Sequence, residues 1–183
     1  TNWTAGGALN TTRAYLSGFG TQTAAAAAGG NLPPGTYSNA VEEYNGTSWT
    51  TVTVLPAIRQ SAGAAGTQTQ GIIFGGELPG ATATAFTYDG TNWTTTGSMG
   101  TAGFSGEPAG SGTAALAANF HAPPGVNRNT EEYNFTANTI TAGAWSAGDN
   151  IPTATTSFGG AGTRDATLVF GGYVGGPGVT GYV

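Results

Sequence analysis

At 183 residues the chain has the size of one domain, and only 7% of it is charged, far below the roughly 25% of ordinary soluble domains. Its four cations, Arg13, Arg59, Arg128 and Arg164, face nine acids for a net charge of -5, which excludes capture of a nucleic-acid backbone by clustered cations. The absence of cysteine excludes disulfides, thiolate metal sites and cysteine nucleophiles, and no run of about 18 apolar residues offers a membrane span.

In chain order, Thr1-Asn2-Trp3-Thr4 matches Thr91-Asn92-Trp93-Thr94, so the sequence opens on an outer-strand segment, as expected of a mature, trimmed or partly observed product. Gly20-Thr21 through Gly29-Gly30 follows, and its register makes Ala24–Ala28 a strand, because five alanines cannot nucleate a helix unaided. Pro34-Gly35 is a turn, Glu42-Glu43-Tyr44 an alternating segment, and Asn45-Gly46 a two-residue hairpin turn with positive φ at both positions. Ser48-Trp49-Thr50-Thr51-Val52 is β-branched and aromatic, hence a strand that Leu55-Pro56 breaks. Gly66-Thr67 through Gly75-Gly76 repeats the first unit, with an apolar run at Gly71-Ile72-Ile73-Phe74. Pro79-Gly80, a strand from Ala83 to Tyr88, the turn Asp89-Gly90 and Trp93 complete that cycle.

The third unit aligns more loosely, placing Gly112-Thr113 against Gly66-Thr67 and Asn119-Phe120 against the double glycine. It carries Pro124-Gly125, Tyr133 and the longer turn Asn134–Asn138. Trp145 leads into a fourth unit with Gly162-Thr163 and Gly171-Gly172. On this alignment Trp3, Trp49 and Trp145 each precede the repeated threonine by 18 residues and Trp93 precedes it by 20. The tryptophans are 46, 44 and 52 residues apart. Such a period means supersecondary units that bury their faces against one another.

Four short strands per unit, joined by tight turns, predict an all-β propeller of four-stranded antiparallel blades. It would form one domain, residues 1–183, with repeats near 1–46, 47–90, 91–138 and 139–183. An apolar strand ending in Gly-Gly, then Tyr, then Trp resembles the kelch motif, in Phe74-Gly75-Gly76, Tyr88, Trp93 and in Gly29-Gly30, Tyr44, Trp49. Arg13 and Arg59 resemble the arginine after the inter-blade loop of that family, which the third and fourth units lack. The segment Glu42–Thr50, echoed by Thr130–Tyr133, is similar to kelch-like arrays of phage and environmental bacterial structural proteins. The resemblance implies a propeller closed by pairing its two chain ends in one split blade. Thr1, Asn2, Trp3 and Thr4 with Tyr182 and Val183 then form a ring-closure or intersubunit strand, and an unclosed contact generates filaments.

Chemistry is sparse. His121 is the single histidine and reads as a loop residue, with no partners for a triad or a metal site. Glu42-Glu43 and Glu131-Glu132 place adjacent carboxylates on opposite strand faces, which opposes a dyad and predicts a solvated face. No catalytic residue, metal or cofactor is expected. Trp3, Trp49, Trp93 and Trp145, with Tyr44, Tyr88 and Tyr133, recur in register and are assigned to blade packing. The irregular aromatics Phe104, Phe120, Phe135 and Tyr173 are the candidates for ligand contact. Asn2, Asn10, Asn45, Asn92 and Asn134 open Asn-X-Thr sequons that could carry glycans.

The expected function is non-enzymatic. The chain reads as a structural or adhesive subunit of an extracellular filament, surface fibre or phage tail fibre, assembling through open repeat ends. The alternative is a soluble, lectin-like glycan-binding module, and a sugar-active enzyme comes third. Partners are then further copies of the chain and a cell-surface glycan, with no nucleic acid and no membrane insertion, at an extracellular or virion surface.

Overall fold

The protein is described by a computed structural model covering residues 2–126, 128–135, 144–148, 156–163 and 166–173. The described residues are all-β, with no helix among them. The first sheet contains β1 (Ser17–Thr21), β2 (Ala24–Ala28), β5 (Val41–Tyr44) and β6 (Trp49–Val52), antiparallel in that order. A small hairpin, β3 (Asn31–Leu32) with β4 (Thr36–Tyr37), is inserted between its second and third strands. The second sheet runs β7 (Gly63–Thr67), β8 (Gln70–Phe74), β9 (Ala85–Tyr88), β10 (Trp93–Thr96). The third runs β11 (Glu107–Gly110), β12 (Ala114–Ala118), β15 (Thr130–Asn134), β16 (Ala144–Gly148), with the inserted hairpin β13 (His121–Ala122) and β14 (Gly125–Val126). A final hairpin pairs β17 (Thr156–Thr163) with β18 (Ala166–Tyr173).

The three sheets are copies in register. Ala28, Phe74 and Ala118 hold the same place, between Ser17 and Val41, Gly63 and Ala85, and Glu107 and Thr130 respectively. Trp49, Trp93 and Trp145 lie opposite Tyr44, Tyr88 and Tyr133. The first strands of the units stand side by side, β1 against β7, β7 against β11 and β11 against β17.

Ala24–Ala28 is a strand, as its register predicts, and its methyl groups let the second sheet approach. Ala26 and Ala28 join Phe19, Val41, Ile73, Phe86 and Tyr88 in one buried cluster. Ile72 and Phe74 face the other way, into a second cluster with Met99, Ala115, Ala117, Phe120 and Tyr133. The uninterrupted run Gly71-Ile72-Ile73-Phe74 therefore reflects a strand buried on both faces, where alternation has no solvent side to serve. Gly71 is required by proximity, since a Cβ there would lie 2.3 Å from the Phe19 ring.

The structure revises the register of the third unit. Gly20, Gly66 and Gly110 have φ of 111°, 112° and 109°, so Gly110-Ser111, not Gly112-Thr113, corresponds to Gly66-Thr67. The spacing from Trp93 to Ser111 is then the same 18 residues found in the other units. The placement of Asn119-Phe120 against the double glycine holds. Gly29 and Gly75 have φ of 69° and 63°, and Asn119 takes the same left-handed conformation at 54°. Asparagine tolerates that region, so the third unit needs no glycine there.

Asn45-Gly46 and Asp89-Gly90 are not two-residue turns with positive φ at both positions. Only the glycines have positive φ, 92° in each case. Four residues separate Tyr44 from its partner Trp49 and Tyr88 from Trp93. The Asn45 and Asp89 side chains cap the loops, each Oδ1 accepting two backbone N–H groups.

Candidate functional site: the junctions between neighbouring sheets

Arg13 precedes β1 and is fully enclosed. Its guanidinium donates to Gly29 O at 2.7 Å, Ala40 O at 2.6 Å and Glu42 Oε1 at 2.9 Å. Glu42 also accepts the backbone N–H groups of Asn10 and Thr11. The prediction of a solvated Glu42-Glu43 face is thus corrected. The two carboxylates do point to opposite faces, but Glu42 is buried on Arg13, and Glu43 accepts the Tyr88 hydroxyl of the next sheet at 2.9 Å. Glu131 is buried too, accepting the N–H groups of Gly100 and Thr101.

The second unit solves the same position without an acid. Arg59 donates to Gly75 O and to both oxygens of Thr84, and its guanidinium lies 4.4 Å over the Phe86 ring. Phe86 stands where Glu42 stands in the first sheet, and Pro56, which has no N–H, stands where Asn10 donates to that acid. Burial lowers the Arg59 pKa to about 10. In the third unit Gly103 replaces the arginine, and a Cβ there would lie 2.4 Å from Phe120. Phe120, proposed for ligand contact, is 3% exposed and packs edge-on against Phe74 at 6.1 Å, so that assignment is corrected to the core. The arginine and buried-glutamate networks tie the segment entering each sheet to that same unit, and the Glu43–Tyr88 bond crosses to the next sheet. Glu42 and Glu131 have donors on both carboxylate oxygens, and no group of three metal-ligating side chains occurs among the described residues.

The outer edge carries the aromatic pairs. Trp49 lies over Tyr44 at 5.0 Å and Trp93 stacks on Tyr88 at 4.6 Å. Their indole N–H groups reach back to Gly7 O and Thr53 O, both at 3.1 Å. Gly7 and Thr53 each follow a tryptophan by four residues, so Trp3–Gly6 holds the register of β6. It pairs with no strand among the described residues, and Trp3 is 102% exposed, so its assignment to blade packing is corrected for this structure. Trp145 is on β16 opposite Tyr133. Burial, then the Glu43 bond, raises the Tyr88 pKa above the phenol range. Burial raises that of Tyr133, with its bond to Thr96 opposing.

Among the other predicted residues, Phe104 is half-buried and lies 4.7 Å from the His121 ring. His121 is on β13, not in a loop, and exchanges both backbone bonds with Phe104. Tyr173 ends β18. Asn2, Asn10, Asn45, Asn92 and Asn134 are exposed. Thr4 is exposed, whereas Thr1, Tyr182 and Val183 lie outside the described residues.

A cavity lies between the second and third sheets. Between the first two, the Gln68 carboxamide donates to Ala25 O at 3.0 Å and Tyr44 O at 2.9 Å, beside the Glu43–Tyr88 bond. In the revised register Gly112 replaces Gln68, and Thr87 replaces Glu43. Two long polar side chains are thereby shortened at one junction. A cavity of about 180 Å³ opens there, lined by Gln70, Gly71, Thr87, Asp89, Thr113 and Phe135 among others. Asp89 is held below the usual carboxylate range by the N–H groups of Asn92 and Thr91. Phe135, at 43% exposure, is the one sequence-nominated ligand contact found on it. No protein-family model and no curated protein matches the chain.

Proposed function

We propose that the chain is a kelch-like β-propeller acting as a non-enzymatic structural or adhesive subunit of an extracellular or virion-surface fibre. The side-by-side series β1, β7, β11, β17, with each sheet meandering outward from it, supports propeller geometry. The observation that carries the assembly reading is the segment Trp3–Gly6. It keeps the register of an outer strand, yet its tryptophan has no tyrosine beneath it among the described residues, unlike Trp49 and Trp93. A strand from a second copy supplies that partner by edge addition. The test is light scattering and electron microscopy across concentration, for this chain and for Thr4→Pro, which removes a backbone donor from the segment. Particles that lengthen with concentration and disappear in the variant are expected. A strictly monomeric species at every concentration overturns the reading.

A second reading, a soluble glycan-binding module, is favoured by one specific observation, the polar cavity between the second and third sheets.

A further inference from the structure

We infer that the cavity between the second and third sheets seats a single neutral saccharide ring bearing an acetamido group. The inference rests on the glycan-binding reading and is independent of self-assembly.

The cavity arises from replacement of its natural filling, not from loose packing. At the first junction a carboxamide, that of Gln68, lies against the backbone carbonyls of Ala25 and Tyr44. The corresponding backbone positions at the second junction are Gly71 and Tyr88, and both line the cavity. Gly112 brings no side chain to them. The single N–H of a ligand's secondary amide can serve one of the two carbonyl positions that the Gln68 NH2 serves one repeat earlier.

Size and polarity narrow the class further. About 180 Å³ is the space of roughly six waters, the scale of one substituted sugar ring and too small for a buried oligosaccharide. The hydroxyls of Thr69, Thr87, Thr94 and Thr113 can each donate and accept, as neighbouring hydroxyls of a sugar require. Thr87 Oγ1 is only loosely engaged, donating to Thr94 O at 3.4 Å. Among the described residues no cation lines the wall, which disfavours phosphate and carboxylate ligands, and the one carboxylate, Asp89, already caps its own turn. Phe135, fixed by its N–H to Thr113 O at 2.8 Å, offers an exposed flat face for the apolar side of the ring.

The test is a heteronuclear NMR titration of the isotope-labelled monomeric fraction with methyl N-acetyl-β-glucosaminide, and with methyl β-glucoside as the amide-free control. Saturable shifts confined to Gly71, Thr87, Tyr88, Thr113 and Phe135 are expected, with the acetamido sugar bound about tenfold more tightly, roughly 1.4 kcal/mol. Gly112→Gln would restore the carboxamide, but a Cβ there would lie 2.3 Å from Gln70 O. Thr87→Glu therefore carries the test, rebuilding the Glu43 arrangement on a backbone that accepts a side chain, and Phe135→Ala serves as a second variant. Each should weaken binding about tenfold or more while leaving the remaining amide spectrum unchanged. Absence of saturable binding, equal binding of the two sugars, or undiminished binding by both variants overturns the inference. Particle formation by the parent chain is unaffected by any of these results, so the two readings fail separately.

Discussion

Replacing Arg13 with Met should be among the most damaging single changes in the first sheet, although the charge removed touches no solvent. The Arg13 and Glu42 side chains are 0% and 1% exposed, and the guanidinium is bonded to two carbonyls as well as to the acid. Met keeps the apolar stem and deletes those donors. Glu42 is left as a buried carboxylate with only the N–H groups of Asn10 and Thr11. Removing one partner of such a pair costs roughly 3–5 kcal/mol, a large share of the 5–15 kcal/mol typical of a domain. Arg59→Met provides the internal comparison. It loses bonds to Gly75 and Thr84 and the contact with Phe86, but leaves no charge behind, so its cost should be about 2–3 kcal/mol. Adding Glu42→Gln to Arg13→Met should recover about 1–2 kcal/mol by neutralising the stranded acid. Urea unfolding followed by tryptophan fluorescence measures all four proteins. A cost below about 1 kcal/mol for Arg13→Met, the range of exposed ion pairs, would refute the argument, as would no recovery in the double variant.

Three further outcomes are expected. The Tyr88 and Tyr133 hydroxyls are held above their ordinary pKa, so the native state keeps protons that the unfolded chain releases; their stabilisation is full below about pH 10 and lost as pH rises through the folded values. Tyr88→Phe should flatten the fall in urea midpoint above about pH 10, and an unchanged slope would count against this assignment. Burial raises the Glu107 pKa, so its contribution is present below the ordinary glutamate value of 4.5 and lost as pH rises; Glu107→Gln should raise the melting temperature at neutral pH and lose that advantage in acid. Gly71→Ala should cost about 1–3 kcal/mol in urea unfolding, because its Cβ would meet the Phe19 ring.

The sequence by itself determined the repeat period, the all-β character and the strand nature of the alanine run, because these rest on local chemistry repeated in register. Trp49 and Trp93 each meet a Tyr five residues earlier across one hairpin, and Gly29-Gly30 and Gly75-Gly76 each close the strand before them. It did not determine which glutamate is buried, since adjacent acids on one strand look alike until Arg13, 29 residues from Glu42, comes to one face and Tyr88, 45 residues from Glu43, to the other. Local similarity also misled. Gly112-Thr113 repeats the letters of Gly66-Thr67, but the positive φ of Gly110 sets the register two residues earlier. That shift alone reveals that Gly112 stands in for Gln68, whose own partners lie 43 and 24 residues away. Pairing within a hairpin is written in neighbouring residues. Whether a junction between sheets is filled or hollow depends on side chains from different repeats, and only the tertiary structure brings those together.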